Sequence, residues 1–151
     1  MIAVGIDPGK SGGVAFIYTD SKGDVVAHSY VYDDMVFIDK MRDIKDMSTR
    51  VSVCVEKVNA MPKQGVVSVF TFGKSLGFIE GVLKAFNLPY QLVPPTKWRS
   101  EFSLTGDKSQ SITVCQKLFP DVNLMATMRC RKPHDGMAEA LLMAEYARRR
   151  F

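Results

Sequence analysis

At 151 residues, with 46% hydrophobic and 24% charged side chains, the chain is long enough to bury a core and has the composition of one globular domain spanning 1–151. A formal net charge of +4 and a pI near 9.0 favour polyanionic partners and speak against acidic metal-storage or solvating roles. Cys54, Cys115 and Cys130 form no close pair, and with only His28 and His134 beside them no zinc site fits a usual spacing.

Residues 2–6 are an apolar, β-branched run, and no signal peptide precedes it, so a cytoplasmic protein is expected. The run ends at Asp7 and enters the turn Asp7-Pro-Gly-Lys-Ser-Gly-Gly13. Three residues separate Gly5 from Gly9 where a phosphate-cradling loop needs four, and Gly73-Lys74-Ser75 falls inside a helical stretch, so no nucleotide cofactor is expected. Strands at Val14–Thr19 and Val25–Tyr32, separated by Ser21-Lys-Gly-Asp24, suit an antiparallel hairpin. Met35, Ile38, Met41 and Ile44 predict an amphipathic helix over 35–45, and Val51–Glu56 returns to strand character.

Residues 58–66 read as a flexible loop, followed by a long helix over 66–86. Gly73, Gly77 and Gly81 lie on one stripe of that helix, each costing about 1 kcal/mol relative to Ala. Such a stripe predicts close packing, on the sheet by preference or on a partner subunit. Lys74, Glu80 and Lys84 speak against a membrane span, and no run of 18 apolar residues occurs. Tyr90–Val93 is a fifth strand stopped by Pro94-Pro95; a helix capped by Asp107 or Ser109 reaches about Phe119, and a last helix starts near Asp135. Strands first, then alternation, predict a mixed sheet flanked by helices, with Cys54 and Cys115 as buried, reduced thiols.

Four acids stand at element edges: Asp7 and Glu56 at strand ends, Asp135 and Glu139 four apart on the last helix. Each alone has a bland reading. Asp7 can cap a turn, Glu56 can pair with Lys57, and Asp135 with Glu139 can serve the helix dipole. Together they form a set of hard oxygen donors of the kind that suits Mg²⁺ or Mn²⁺, and like charges at i,i+4 repel unless a cation lies between them. The cations Lys97, Arg99 and Lys108, with Arg129, Arg131 and Lys132 just before Asp135, suit contact with a phosphate backbone. Trp98 is expected in the core rather than against a base.

The stretches Ile6-Asp7-Pro8-Gly9, Glu56-Lys57-Val58, Met61-Pro-Lys-Gln-Gly-Val66, Phe72-Gly-Lys-Ser-Leu-Gly77 and His134-Asp-Gly-Met-Ala-Glu-Ala-Leu141 together resemble the RuvC-type Holliday-junction resolvases, and within them the bacteriophage-encoded versions. The resemblance covers nearly the whole chain in order. It implies an α/β, ribonuclease H-like fold with a five-stranded mixed sheet, and a homodimer cutting opposed strands of a four-way junction in the host bacterial cytoplasm. Asp7, Glu56, Asp135 and Glu139 match the family's four metal-binding catalytic acids. The last is Asp three residues on in bacterial relatives, whereas Glu139 lies four on. Lys97 and Lys108 match two basic positions near the scissile phosphate. DNA contacts are further expected from Lys63, Arg129, Arg131 and Lys132, and from Asn59, which stands where bacterial members carry an aromatic. That polar residue implies looser selectivity, extending to forks and flaps.

The mechanism so implied is Mg²⁺-dependent, two-metal phosphodiester hydrolysis leaving 5′-phosphate ends, with Mn²⁺ as a substitute. The rivals are a ribonuclease H-type enzyme cutting RNA–DNA hybrids and a non-catalytic protein binding branched DNA. A fragment of an actin-like sugar kinase ranks last, because the chain is too short for a second lobe.

Overall fold

The computed structural model describes all residues except 48, 58 and 60–62, and the backbone but not the side chain of Lys108. Val58, Met61 and Pro62 of the expected loop therefore lie outside the described residues. The elements run β1 (Ile2–Asp7), β2 (Gly13–Thr19), β3 (Val25–Val31), α1 (Asp34–Lys45), β4 (Val51–Glu56), α2 (Val66–Ala85), β5 (Tyr90–Val93), α3 (Pro95–Glu101), α4 (Lys108–Leu118) and α5 (Asp135–Arg150). The sheet order is β3-β2-β1-β4-β5. β1, β2 and β3 pair antiparallel, while β1, β4 and β5 run parallel, so the sheet is mixed as expected.

Alternation along the strands divides two cores. Ile2, Val4 and Ile6 face α1 and α2 with Phe37, Met41, Ile79 and Leu83. Ala3, Ala15 and Cys54 face α5 with Ala140, Leu141 and Ala144. Small residues on the second face let α5 lie with its backbone against the sheet. A Cβ on Gly5 would sit 2.0 Å from the Ala140 carbonyl oxygen; one on Gly13 would sit 2.4 Å from that of Gly136, and one on Gly136 2.2 Å from that of Ser11. Ser29 adds a tether, its Oγ donating to the Met137 carbonyl at 2.7 Å. These contacts bring the first turn of α5 onto the turn that follows β1.

The glycine stripe on α2 is a correction. Among the described residues no atom lies within 4 Å of a Cβ built at Gly73, Gly77 or Gly81, so the stripe does not pack on the sheet. The helix touches the core through Ile79 and Leu83, while Val66, Val67 and Phe70 are exposed. By length and composition α2 is apolar enough to cross a membrane, although little of it is buried. Its C-terminal half is nonetheless part of the domain: Leu83 and Ile79 fill the core, and the Tyr90 hydroxyl donates to Glu80 at 2.6 Å.

A second difference is α3, where the sequence suggested only a stop. Pro94 ends the extended segment and Pro95 takes the first helical position, where a missing N–H costs nothing. The helix that follows buries Trp98 completely. At α4, Asp107 is the cap, its carboxylate accepting from the Ser109 N–H at 2.9 Å.

Candidate active site

Register alone places the first two acids together. β1 and β4 run parallel with Ile6 opposite Val55, so Asp7 and Glu56 end adjacent strands at the same level. Period two puts Asp7 in phase with Ala3 and Gly5, and Glu56 in phase with Cys54, on the face that α5 covers. Neighbouring strands lie roughly 4.8 Å apart, a range at which two unit charges repel by about 3 kcal/mol at an effective dielectric of 20. The glycine contacts of α5 then deliver Asp135 and, one turn on, Glu139 to the same place.

All four acids line one cavity of about 840 Å³, bounded by the β1–β2 turn, the end of β4, the N-terminal half of α2, Arg99 and the head of α5. Asp33 and Asp34 line it as well, so six carboxylates meet three cations, Lys10, Lys74 and Arg99. The field is negative. Burial raises the pKa of Glu56, and the charge of Glu139 adds to the rise, while the Trp98 hydrogen bond and Arg99 pull it back. Burial pushes the Cys54 thiol up to about 12 with help from Glu56, and burial together with Asp34 and Asp33 holds the Tyr32 phenol far above its ordinary range.

Neighbours fix the acids in place. The Trp98 indole Nε1 donates to Glu56 Oε2 at 2.9 Å. Arg99 Nη2 donates to Glu139 Oε1 at 2.9 Å, and Ser111 Oγ stands 3.5 Å from the same oxygen. The His134 ring Nδ1 accepts from the Met137 N–H at 3.2 Å and caps α5. Among the described residues no three acidic, histidine or cysteine side chains are gathered closely enough to form a ready metal cluster. The donor set still fits a hard divalent cation in chemistry, since every ligand candidate is a carboxylate in a cavity with a surplus of negative charge.

The expected DNA contacts come from α3, the head of α4, the stretch after β4 and the approach to α5. Lys97 is exposed on α3, one residue before Trp98. Lys108 opens α4, and its side chain lies outside the described atoms. Asn59 and Lys63 are exposed after β4, Lys63 with φ of 69°, and Arg129, Arg131 and Lys132 are exposed on the segment leading into α5. Among the described side chains none of these lines the cavity; Lys10, Lys74 and Gln64 do. Neither Lys10 nor Lys74 was expected to meet phosphates: Lys10 lies three residues after Asp7 on the β1–β2 turn, and Lys74 reaches the acids only because α2 lines the same cavity. Burial pushes the Cys115 thiol up to about 12, which with Cys54 leaves both thiols protonated and inert, while Cys130 is exposed.

No protein-family model matches the sequence, and no curated protein matches it significantly. Solved structures do match. A structure of Thermus thermophilus RuvC superposes with a TM-score of 0.61 at 17% identity, covering 99% of this chain and 96% of that one. T. thermophilus RuvC in complex with a Holliday junction substrate gives 0.62 at 12% identity, covering 99% and 97%. The yeast mitochondrial Holliday junction resolvase Ydc2 gives 0.50 at 15% identity, covering 93% and 75%. At these identities the likeness establishes the fold: a ribonuclease H-like mixed sheet of five strands with flanking helices, as in RuvC.

Proposed function

We propose that this chain is a single-domain, divalent-metal-dependent DNA endonuclease that cuts four-way junctions, with forks and flaps as further substrates. The observation that carries it is the convergence of Asp7, Glu56, Asp135 and Glu139, from three elements, on one negatively charged cavity of a RuvC-like fold. One of the similar structures holds a Holliday junction substrate, which supports branched DNA as the ligand here. The sequence resemblance supports a bacteriophage origin and a setting in the host bacterial cytoplasm.

The four acids are the residues that would hold Mg²⁺, or Mn²⁺ in its place. When bound, divalent ions at such a site acidify an attacking water and stabilise the departing 3′ oxygen, leaving 5′-phosphate ends. Trp98 orients Glu56 and Arg99 holds Glu139, so two of the four donors are positioned by neighbours. Lys10 and Lys74 on the cavity wall meet the incoming phosphates, while Lys63, Lys97, Lys108, Arg129, Arg131 and Lys132 supply attraction for the arms.

A second copy of the chain is the partner assigned to the exposed face of α2. Val66, Val67, Phe70 and the open glycines form an apolar strip beside the cavity, and a dimer through it sets two cavities on one DNA. Sedimentation of wild type and Phe70→Glu tests this: a dimer that becomes a monomer agrees, and a wild-type monomer that floats with lipid vesicles does not.

Asp7→Asn is the test of the catalytic assignment. It should abolish cutting of a synthetic four-way junction in Mg²⁺ and leave junction binding in place. Equal cutting by mutant and wild type defeats the assignment. Preferred cutting of an RNA–DNA hybrid indicates a ribonuclease H activity, and binding without any Mg²⁺-dependent nick indicates a non-catalytic protein.

A further inference from the structure

The segment joining α4 to α5 carries a feature that the acidic cavity does not use. Leu124 is buried in the core, and its carbonyl accepts from the His134 N–H at 2.8 Å, which closes the base of a protruding loop. At the tip, the Cys130 N–H donates to the Thr127 carbonyl at 3.1 Å and the Thr127 Oγ1 and Cys130 Sγ lie 3.2 Å apart. Thr127–Cys130 is thus a β-turn, with Met128 and Arg129 at its two central positions. Those positions ordinarily take Gly, Pro, Asn, Asp or Ser. Here Met128 is fully exposed, its side chain standing out in solvent. Arg129, Arg131 and Lys132 flank it, all exposed.

A large apolar group held at the tip of a cationic turn suits one kind of surface. Lys and Arg gather on the phosphates of a polyanion, and an unbranched, polarizable thioether slides into an irregular apolar gap between them. In DNA the only apolar gap between phosphates is the space between base planes, and entering it means unstacking a step. Such entry is cheapest where stacking is already broken. Met128 stands seven positions before Asp135, so the tip lies within roughly 25 Å of that residue. At 3.4 Å per base step, tip and acids act on the same stretch of DNA.

We infer that Met128 is a wedge that inserts beside an unstacked base at the branch point of bound DNA, with Arg129, Arg131 and Lys132 seating the flanking phosphates. The inference rests on the branched-DNA function proposed above and adds the residue that reads the branch. Because the Met128 side chain is fully exposed, its substitution should leave the structure intact, which a thermal melt checks.

The experiment places the fluorescent base 2-aminopurine at the crossover of a four-way junction and uses Asp7→Asn protein so that the DNA is bound without being cut. Binding by that protein should raise the fluorescence. Adding Met128→Ser should remove most of that rise at saturating protein, with junction affinity changed little, and Met128→Phe should restore it. Arg129→Ala should do the opposite, weakening binding and flattening its salt dependence while the saturating rise persists. A Met128→Ser protein that matches its parent in fluorescence overturns the wedge and leaves the junction function standing. A parent protein that binds junction no better than linear duplex overturns the function itself, and the wedge with it.

Discussion

The guanidinium of Arg99 lies 2.9 Å from Glu139 inside the cavity that the other three acids line, and it is the cation that holds this carboxylate in a crowded negative field. Glu139 is largely buried, and Arg99 is about one-third exposed. Removing the guanidinium in Arg99→Leu should cost about 1–2 kcal/mol, a charged hydrogen bond discounted for that exposure. The loss should shrink when Mg²⁺ is added, since a bound cation neutralises the same carboxylate. Thermal melts of both proteins with and without Mg²⁺ measure this; an equal deficit under both conditions would show that the ion and Arg99 do not share Glu139.

Trp98 acts on the site through Glu56. Trp98→Phe keeps an aromatic ring in the core and removes the indole N–H that now meets the carboxylate at 2.9 Å. Losing such an orienting partner commonly lowers metal affinity about 10–100-fold. Manganese titration should show that weakening, and the cutting rate should recover at high Mg²⁺. A rate that stays low at every Mg²⁺ concentration assigns Trp98 a packing role alone.

Two glycine substitutions should move in opposite directions. Gly136→Ala drives a methyl to 2.2 Å from the Ser11 carbonyl oxygen, a backbone atom that cannot rotate away, and should cost about 3 kcal/mol or more. It also displaces Asp135 from the β1–β2 turn, so cutting should fall further than stability does. Gly77→Ala meets open space within its own chain and should gain up to about 1 kcal/mol of helix stability in Phe70→Glu protein, where no second copy covers the stripe. Denaturation midpoints decide both; a tolerated Gly136→Ala would mean that α5 does not rest on the turn.

Acid stability should depend on Glu145, a buried acid bound by Arg148 Nε and Arg149 Nε at 2.6 Å each. Burial raises its pKa, but the two guanidiniums outweigh it and hold the carboxyl below the ordinary 4.5. A depressed folded pKa contributes stability above the unfolded value and loses it as pH falls through the folded one. Glu145→Gln should therefore cost about 1–2 kcal/mol at neutral pH, the partners being part-exposed. The gap to wild type should close well below 4.5. Urea denaturation across this range reads the difference, and a gap independent of pH would rule out the ion-pair origin.

Much of the architecture could be read from periodicity. Apolar runs marked β1, β2 and β4, whose first five residues are all buried, while the 3.6-residue pattern marked α1 with one change: Met41 and Ile44 are buried as expected, but Phe37 is buried in place of the exposed Met35. The acids were legible as edge residues, and parallel register explains why two of them coincide. The glycines were misread for a physical reason. A glycine signals close approach only if something approaches, and the stripe on α2 faces outward while the isolated Gly5, Gly13 and Gly136 carry the tight crossing. Pro94-Pro95 reads equally as an ending or as a helix start, and the sequence around it does not choose. Lys10 follows Asp7 on the same turn, but Lys74 joins the acids only through tertiary placement of α2, which no local pattern encodes.

On the function proposed above, the crossing of α5 over Gly5 governs when the chain first acts on nucleic acid. Asp7 and Glu56 belong to strands made early, and their counterparts arrive only with α5, whose Asp135 stands 128 positions after Asp7 and 79 after Glu56. Contacts of such long range form late, after the loop-closure entropy has been met. A half-folded chain thus holds two of the four acids and lacks the set, so the proposed activity is withheld until the last helix docks.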